Sequence, residues 1–199
     1  MPLTTPRLLL CYFLFSFAVA FAWPTWRLWR REHVNALVLP RDDSVRGVVA
    51  AWFRGVIAAT LLLLVALSAG VPLSTTGPLP WLAAEGVAIA GWALLGASLV
   101  WIVAAQAQMG RSWRIGIDDA TRPPLVQTGL FGRSRNPIFL GMRFNLAGLF
   151  LALPNAATLA LLLVGEAMMQ LQVRLEEAHL SVVFGADYDA YRDAVPRWL

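Results

Sequence analysis

The stretch PIFLGMRFNLAGLFLALPNAATLALLLVGEAMMQLQV, residues 137–173, decides the fold of this chain. It contains two long apolar runs, 137–153 and 156–173, which are separated only by Pro154 and Asn155. A helix needs about 20 mainly apolar residues to cross a bilayer, so each run is close to the length of a membrane span. A two-residue connection joins helices only as an antiparallel hairpin. The stretch therefore predicts two neighbouring membrane helices.

Further apolar runs precede this hairpin, at 8–26, 50–69 and 81–104. The chain is 58% hydrophobic and only 14% charged, whereas about a quarter of the residues of a soluble domain are charged. We therefore predict an all-α fold, a polytopic membrane bundle of about five transmembrane helices that forms one integral-membrane domain over 1–199. In this prediction 1–104 holds three spans, and 105–199 holds a cofactor-binding loop, the helical hairpin and an amphipathic cytoplasmic tail helix.

Arginines are concentrated in alternate loops. The loop 106–136 and the tail from Arg174 contain several, whereas 70–80 and the turn at 154–155 carry no charge. Because basic residues accumulate on the cytoplasmic side, this pattern predicts an N-terminus outside and a C-terminus in the cytoplasm of a bacterial inner membrane. A cleaved signal peptide is an alternative for the first run, since residues 18–20 read Ala-Val-Ala. Most arginines near the N-terminus follow that run, which favours an uncleaved membrane anchor over a signal peptide.

Several function classes are disfavoured by the sequence. The net charge is only +4, and the arginines lie beside apolar runs, so we expect no nucleic-acid partner. Cys11 is the single cysteine, which excludes a disulfide framework. His33 and His179 lack the neighbouring ligands and the spacing of a zinc site, so we expect no metal.

Two charged residues lie inside the hairpin. Arg143 is well within its first arm and Glu166 is well within its second. Each costs about 2.5–3.5 kcal/mol at a helix centre, so each should face protein or water and find a partner. Both lie roughly 16 Å from the turn at 1.5 Å per residue, so they can pair. Such an ion pair either fixes the register of the hairpin or belongs to a functional site.

Polar residues also form two stripes, which predict a cleft between the two arms. One stripe follows the i, i+4, i+8, i+11 spacing of a helix face and consists of Glu166, Gln170, Arg174 and Glu177. The other, at the start of the partner arm, consists of Asn136, Leu140 and Arg143.

The chemistry of this predicted cleft suits a zwitterionic cation. The carboxylates of Glu176 and Glu177 suit an ammonium or sulfonium group, and the arginines and the backbone amides around Gly129 and Gly132 suit a carboxylate or phosphate. Apolar walls suit an adenine ring or a lipid tail. S-adenosylmethionine uses all three features, although spacing alone does not select it over a nucleotide.

Two motifs carry a resemblance to a known family. The stretch TGLFGRSRNPIFLG, residues 128–141, resembles the motif TGPYRYVRHPMYLG of integral-membrane methyltransferases related to isoprenylcysteine carboxyl methyltransferase and phospholipid N-methyltransferase. The tail EEAHLSVVFGADYDAYRDAVPRWL, residues 176–199, is similar to the end of the same family, with its paired glutamate, FG, two tyrosines and VPR. Residues 109–119 resemble the segment that precedes the motif, so the resemblance covers about half of the chain.

The resemblance implies an S-adenosylmethionine site built from the hairpin and tail, open to the cytoplasm, with an entrance for substrate on the lipid side. The cofactor-binding candidates are Gly129, Arg135, Asn136, Pro137, Phe139, Leu140, Arg174, Glu176 and Glu177. The catalytic candidates are Asn136, Arg143 and Glu166. Asn136 stands where the family has histidine and cannot act as a titrating base. Phe139 stands where the family has tyrosine and lacks its hydroxyl.

We therefore predict S-adenosylmethionine-dependent methyl transfer to a lipophilic or membrane-embedded acceptor at the cytoplasmic face. The partners would be a lipophilic small molecule or lipid as substrate, and membrane lipids. An amine acceptor must first lose a proton, so the absence of the motif histidine favours an acid, a thiol or another readily deprotonated acceptor. Two alternatives stay open: an NADPH-dependent membrane reductase of the sterol or steroid type, and a non-catalytic lipid-binding membrane protein.

Overall fold

The computed structural model describes residues 4–33, 36–117 and 124–199. Within these ranges the chain is almost entirely helical, which confirms the all-α prediction. The helices are α1 Thr4–Phe17, α2 Trp23–Glu32, α3 Val45–Ser68, α4 Glu85–Met109, α5 Pro137–Ala152, α6 Ala156–Phe184 and α7 Ala186–Ala194. One short parallel pair, β1 Leu37–Val38 with β2 Ile115–Gly116, joins the loop after α2 to the segment after α4. Residues 118–119 of the predicted upstream segment lie outside the described residues.

In the part of the chain that the structure describes, four helical segments are long and apolar enough to cross a membrane, so the chain is a membrane protein. They are Thr4–Arg31, Val45–Ser68, Glu85–Met109 and Ala156–Phe184. The first arm of the predicted hairpin, α5, has 16 residues. At 1.5 Å per residue it is about 24 Å long, which is less than the roughly 30 Å of a hydrocarbon core. The hairpin is therefore present, but its first arm is shorter than a full span.

The first membrane helix contains a wider turn near its middle. Residues Ala18–Ala22 form a π-helical turn that joins α1 to α2 without a break. Such turns leave carbonyl groups without their usual intrahelical partner. The carbonyl of buried Ala20 accepts a hydrogen bond from the Gln106 side chain of α4 at 2.6 Å. The helix also continues beyond the predicted end at 26.

Helices α4 and α5 pack with their backbones almost in contact. A Cβ atom added at Gly91 would lie 2.4 Å from the backbone nitrogen of Ala152, and one at Gly148 would lie 3.0 Å from the Gly91 carbonyl oxygen. Near the other end of α5, a Cβ atom at Gly141 would lie 2.5 Å from Ile102 Cγ1. Small residues allow this close approach in a membrane, where van der Waals packing drives helix association.

A partly buried polar network adds to this packing inside the apolar bundle. Asn145 of α5 donates to the Tyr12 hydroxyl of α1 and, at 3.1 Å, to the Ser98 hydroxyl of α4. Tyr12 in turn donates to the carbonyl of Leu95 at 2.8 Å. Side-chain hydrogen bonds of this kind hold membrane helices together because their polar groups have no water as an alternative partner.

The turn of the hairpin is fixed by a capping box. Asn155 and Thr158 are both buried, and the Thr158 amide donates to Asn155 Oδ1 at 3.0 Å. The loop before α4 covers this turn, since the Leu79 amide donates to the Pro154 carbonyl at 3.2 Å. These contacts explain why two residues suffice to reverse the chain.

The C-terminal part differs in its boundaries from the sequence prediction. Helix α6 continues to Phe184 instead of ending at 173. Gly185, with φ 56°, then turns the chain, and the predicted amphipathic tail helix is the short α7. Tyr188 and Tyr191 of α7 are 1% and 6% exposed, so this helix packs against the end of the bundle where the motif at 128–141 lies.

Candidate active site

The motif at 128–141 is attached to the end of α4 before it enters α5. Residues Gly129–Gly132 form a single 3₁₀ turn, and Gly129 has φ 65°. The amide of Leu130 donates to Gln108 Oε1 at 2.7 Å, and a Cβ atom at Gly129 would lie 2.5 Å from that oxygen. Glycine is therefore needed here both for the backbone conformation and for the contact. Asn136 then directly precedes α5, whose first residue is Pro137.

Glu177 is held by side chains from two separate segments. Its carboxylate lies 3.3 Å from Arg135 Nη2 and 2.7 Å from Arg197 Nη2, and Asn136 Nδ2 donates to it at 3.0 Å. The Glu177 side chain is only 9% exposed. We call Arg135, Asn136, Glu177 and Arg197 the Glu177 clamp. The hydrogen bond between Arg197 and Glu177 raises the pKa of Arg197, so this guanidinium remains charged.

The clamp holds the C-terminal segment across the motif. The Arg135 amide donates to the Pro196 carbonyl at 3.0 Å, and Arg135 Nη1 donates to the Arg192 carbonyl at 2.8 Å. The carbonyl of Arg197 accepts from Ser134 Oγ and from Asn136 Nδ2, both at 3.3 Å. Sequence reasoning matched the VPR ending to the family but did not include Arg197 among the site residues.

Arg143 and Glu166 form the predicted ion pair across the hairpin, at 2.6 Å. Gln170 donates to the second oxygen of Glu166 at 2.8 Å, and the Arg143 guanidinium lies 4.3 Å from the ring centroid of Trp198. The pairing prediction is confirmed. The pair lies between the two arms and beneath the C-terminal segment, and neither residue lines the cavity described next.

A cavity of about 220 Å³ lies between α6, the motif, the segment around β2, α3 and the π-helical turn. Its lining includes polar side chains, which we call its polar end: Gln106, Arg114, Arg135, Asn136, Gln172, Glu176, His179 and Tyr191. Its lining also includes apolar side chains of the membrane helices, which we call its apolar end: Phe21, Val49, Phe53, Phe139, Met142 and Met168. A mainly apolar cavity with a few convergent polar groups is the usual form of a small-molecule site.

The cavity-facing side of α6 is not the polar stripe that the sequence singled out. Met168, Gln172, Glu176 and His179 line the cavity at i, i+4, i+8 and i+11. The predicted stripe starts two residues earlier, at Glu166, and at 100° per residue it lies about 200° away around the helix. The consecutive Glu176 and Glu177 are about 100° apart, so one faces the cavity and the other faces the clamp.

Comparison with protein families bears on this arrangement. Residues 86–187, just over half of the chain, match the family model of phospholipid methyltransferase. The chain belongs to the phospholipid methyltransferase family. No match was found among curated proteins or among solved structures. The matched region extends from α4 through the motif and the cavity-lining face of α6. It begins before residue 109, where the resemblance seen in the sequence begins. The match confirms the predicted family.

The candidate residues of this methyltransferase fall into two groups. Those that line the cavity are Arg135, Asn136, Pro137, Phe139 and Glu176. Those that do not are Gly129, Leu140, Arg143, Glu166, Arg174 and Glu177. Arg174 is exposed on the surface. The sequence analysis did not include Gln106 and Gln172, which both line the cavity. For Gln172 the only signal in the sequence is its spacing, four residues from Met168 and four from Glu176, which places the three on one helix face.

The Arg135 guanidinium, in the wall of the methyltransferase cavity, includes a buried donor that lacks a partner among the described residues. Its side chain is 8% exposed, and among the described residues no group accepts a hydrogen bond from its Nε. A buried donor without a partner costs about 1–3 kcal/mol, more if charged. Because Arg135 lines the cavity, its guanidinium also places a positive charge in the cavity wall.

Tyr191 gives a stability prediction. Its hydroxyl donates to the Phe131 carbonyl at 2.7 Å, and burial raises the pKa of Tyr191 to about 12. The raised pKa contributes stability below pH 10, the ordinary pKa of tyrosine, and this contribution is lost as the pH rises towards 12. We expect Tyr191→Phe to lower the free energy of unfolding by about 1 kcal/mol at pH 8 and to weaken the decline between pH 10 and 12.

Thermal unfolding in detergent at pH 8 and at pH 11 measures both effects. Tyr188→Phe is the matched control, because the buried hydroxyl of Tyr188 has no hydrogen-bond partner among the described residues. At pH 8 this control should cost nothing. Equal losses in the two variants at pH 8 would show that the bond to Phe131 does not stabilise the fold.

Proposed function

We propose that this methyltransferase transfers a methyl group from S-adenosylmethionine to a lipophilic acceptor at the cytoplasmic face of the membrane. The observation that carries the proposal is a cavity whose lining combines Glu176 and the Arg135 guanidinium with apolar side chains of the membrane helices. The family match favours this function over the reductase alternative. The arginine-rich loop 106–136 supports an inside position for the polar end.

The residues of the cavity fit the proposed cofactor. Among the described residues, Gln172 is the hydrogen-bond partner of Glu176, through Oε1 at 2.7 Å, which leaves Oε2 for a cationic ligand. The positive charge of the Arg135 guanidinium suits the carboxylate of the cofactor, and Phe139 offers a ring against adenine. When bound, S-adenosylmethionine supplies a methyl group activated by its positive sulfur. Glu176 is thus a better candidate for the cationic groups than Glu177, whose oxygens are occupied by the clamp.

The apolar end suits the chain of a lipophilic acceptor. Phe21, Phe53, Met142 and Met168 come from four different segments of the bundle and meet there. Holding two reactants together and excluding water accelerates a direct displacement without further groups. Since Phe21 and Phe53 belong to 1–104 and the polar end to 105–199, we also propose that the chain is one functional domain.

Calorimetric titration of purified protein with S-adenosylhomocysteine, and in parallel with NADPH, tests the proposal. We expect binding of S-adenosylhomocysteine that Glu176→Gln weakens about tenfold or more, because a charge-assisted hydrogen bond contributes about 1.5–3 kcal/mol. Arg174→Gln, an exposed change on the same helix, is the control and should bind normally. Binding of NADPH alone would exclude the proposal, and unchanged affinity in Glu176→Gln would exclude the assigned residue.

A further inference from the structure

The ion pair between Arg143 and Glu166 has no part in the proposed function. Neither side chain lines the cavity, yet 27% of the Arg143 side chain and 31% of the Glu166 side chain are exposed on the outside of the bundle. Phe144, the next residue on α5, and Leu163, about one turn before Glu166 on α6, are exposed as well. We call the surface that these four residues form between α5 and α6 the hairpin seam.

The hairpin seam lies at the depth of the membrane interior. Helix α6 is long and apolar enough to span a membrane, and Glu166 lies about 16 Å from the turn at Asn155, at 1.5 Å per residue. By the same rise, Arg143 lies about 9 Å beyond the start of α5 at Pro137. Charged side chains at such a depth almost always face protein or water, because lipid tails offer them no partner. We therefore expect a partner to cover the exposed part of the ion pair.

Within one chain the hydrogen-bonding capacity of the ion pair is only partly used. Arg143 Nε donates to Glu166 Oε2 at 2.6 Å, and Gln170 donates to the other oxygen at 2.8 Å. Among the described residues, neither Nη nitrogen of Arg143 has an acceptor, and Trp198 contacts the guanidinium through its ring. The guanidinium can therefore donate to a second carboxylate, and each carboxylate oxygen of Glu166 can accept a further bond.

The ion pair is complementary to a second copy of itself. Two copies inserted into one membrane in the same orientation are related by a two-fold axis along the membrane normal, which keeps every residue at its own depth. Arg143 and Glu166 share one depth, because they are in contact. An axis beside the hairpin seam therefore places Arg143 of each copy opposite Glu166 of the other.

We infer that two copies of this chain associate through the hairpin seam, where their four charges form a ring of alternating sign. Each Arg143 uses Nε for the Glu166 of its own chain and the Nη nitrogens for the Glu166 of the other. Ala160 and Ala167, on the exposed side of α6, are small. They let a second α6 approach closely, as van der Waals packing between membrane helices requires.

A lipid headgroup fits the hairpin seam less well than a second copy does. A phosphate that binds Arg143 is repelled by Glu166, whose carboxylate lies 2.6 Å from the guanidinium. A cationic headgroup that binds Glu166 is repelled by Arg143 in the same way. A zwitterionic headgroup carries both charges, but headgroups lie at the membrane surface, and the ion pair is about 9 Å deeper than the start of α5.

The exchanged variant, Arg143→Glu with Glu166→Arg, separates the contact between copies from the contact inside each copy. Every exchanged chain still contains an ion pair, so its hairpin should remain folded. Two exchanged copies also match each other. A wild-type copy beside an exchanged copy instead sets arginine against arginine and glutamate against glutamate.

The measurement is co-purification, in mild detergent, of two co-expressed copies that carry different N-terminal tags. We expect wild type to retain wild type and the exchanged variant to retain the exchanged variant. The mixed pair should be recovered at least about tenfold less, because like charges opposed in an interface strongly disfavour association. Equal recovery of the mixed pair, or a wild type that retains no second copy, would overturn the inference.

Cysteine cross-linking in the membrane tests the same surface without altering the ion pair. Ala167→Cys in a Cys11→Ser background, oxidised with copper phenanthroline, should form a disulfide-linked dimer of twice 21.8 kDa. Leu62→Cys in the same background, exposed on α3, is the matched control and should remain a monomer. An Ala167→Cys variant that stays monomeric, or that cross-links only to other proteins, would show that a second copy does not cover the hairpin seam.

Discussion

Glu177→Gln lowers the free energy of unfolding of the ligand-free protein by about 3 kcal/mol, because it leaves two guanidinium groups without their counter-charge. Arg135 is 8% exposed and Arg197 is 33% exposed, so water replaces the lost carboxylate only at Arg197. The glutamine keeps a single acceptor oxygen, so Asn136 Nδ2, which donates to the Glu177 carboxylate at 3.0 Å, competes for it with the two guanidinium groups. The C-terminal segment then loses the ionic part of its attachment to the motif and keeps its backbone acceptors and the contact of Trp198 with Arg143.

The measurement is thermal unfolding in detergent without cofactor, where the midpoint should fall by roughly 5–10 °C. Arg174→Gln, exposed on the same helix, should leave the midpoint unchanged. Arg197→Lys keeps the charge but loses the two-pronged contact, so it should fall between these two. If the ligand-free protein keeps its stability in Glu177→Gln and only the affinity for S-adenosylhomocysteine falls, then Glu177 is a ligand contact and not a clamp.

The hairpin and its ion pair were predictable because all the necessary information is local. Pro137 begins one arm, Pro154 and Asn155 end it, and the depth of Arg143 and Glu166 follows by counting from that shared turn. Helical rise and residue type are sufficient for such an argument. The 2.6 Å contact between Arg143 and Glu166 agrees with it.

The roles of the two glutamates were not predictable from the same information. Glu176 and Glu177 are consecutive, so the sequence shows that they face different directions but not what they face. The cavity side is decided by α3, which brings Val49 and Phe53 against α6, and the clamp side is decided by Gly185, which returns the chain so that Arg197 reaches Glu177. Both contacts depend on packing between distant segments.

The π-helical turn was hidden for a similar reason. Nothing in the local sequence of Ala18–Ala22 distinguishes it from an ordinary apolar helix. The carbonyl of Ala20 in this turn accepts a hydrogen bond from Gln106, which lies on α4. A single glutamine near the end of an apolar span indicates a buried partner, but it does not say which helix provides it.

The close packing of α4 on α5 leads to a second large effect. Gly91→Ala should lower the free energy of unfolding by about 1–3 kcal/mol, since the new Cβ atom would lie 2.4 Å from the Ala152 nitrogen and 2.8 Å from the Leu151 carbonyl carbon. Both are backbone atoms, so a rotamer change cannot relieve the contact. Helix α5 has to move, and the motif at its start moves with it, so activity should fall as well.

Gly96→Ala on the same helix is the matched control, because no atom lies within 4 Å of the added Cβ. Alanine is about 1 kcal/mol better than glycine inside a helix, so this variant should be as stable as the wild type or more stable. Thermal unfolding of the two variants in the same detergent should therefore shift in opposite directions. If both midpoints rise together, α4 and α5 are farther apart than their glycines indicate, and α5 does not hold the motif against α4.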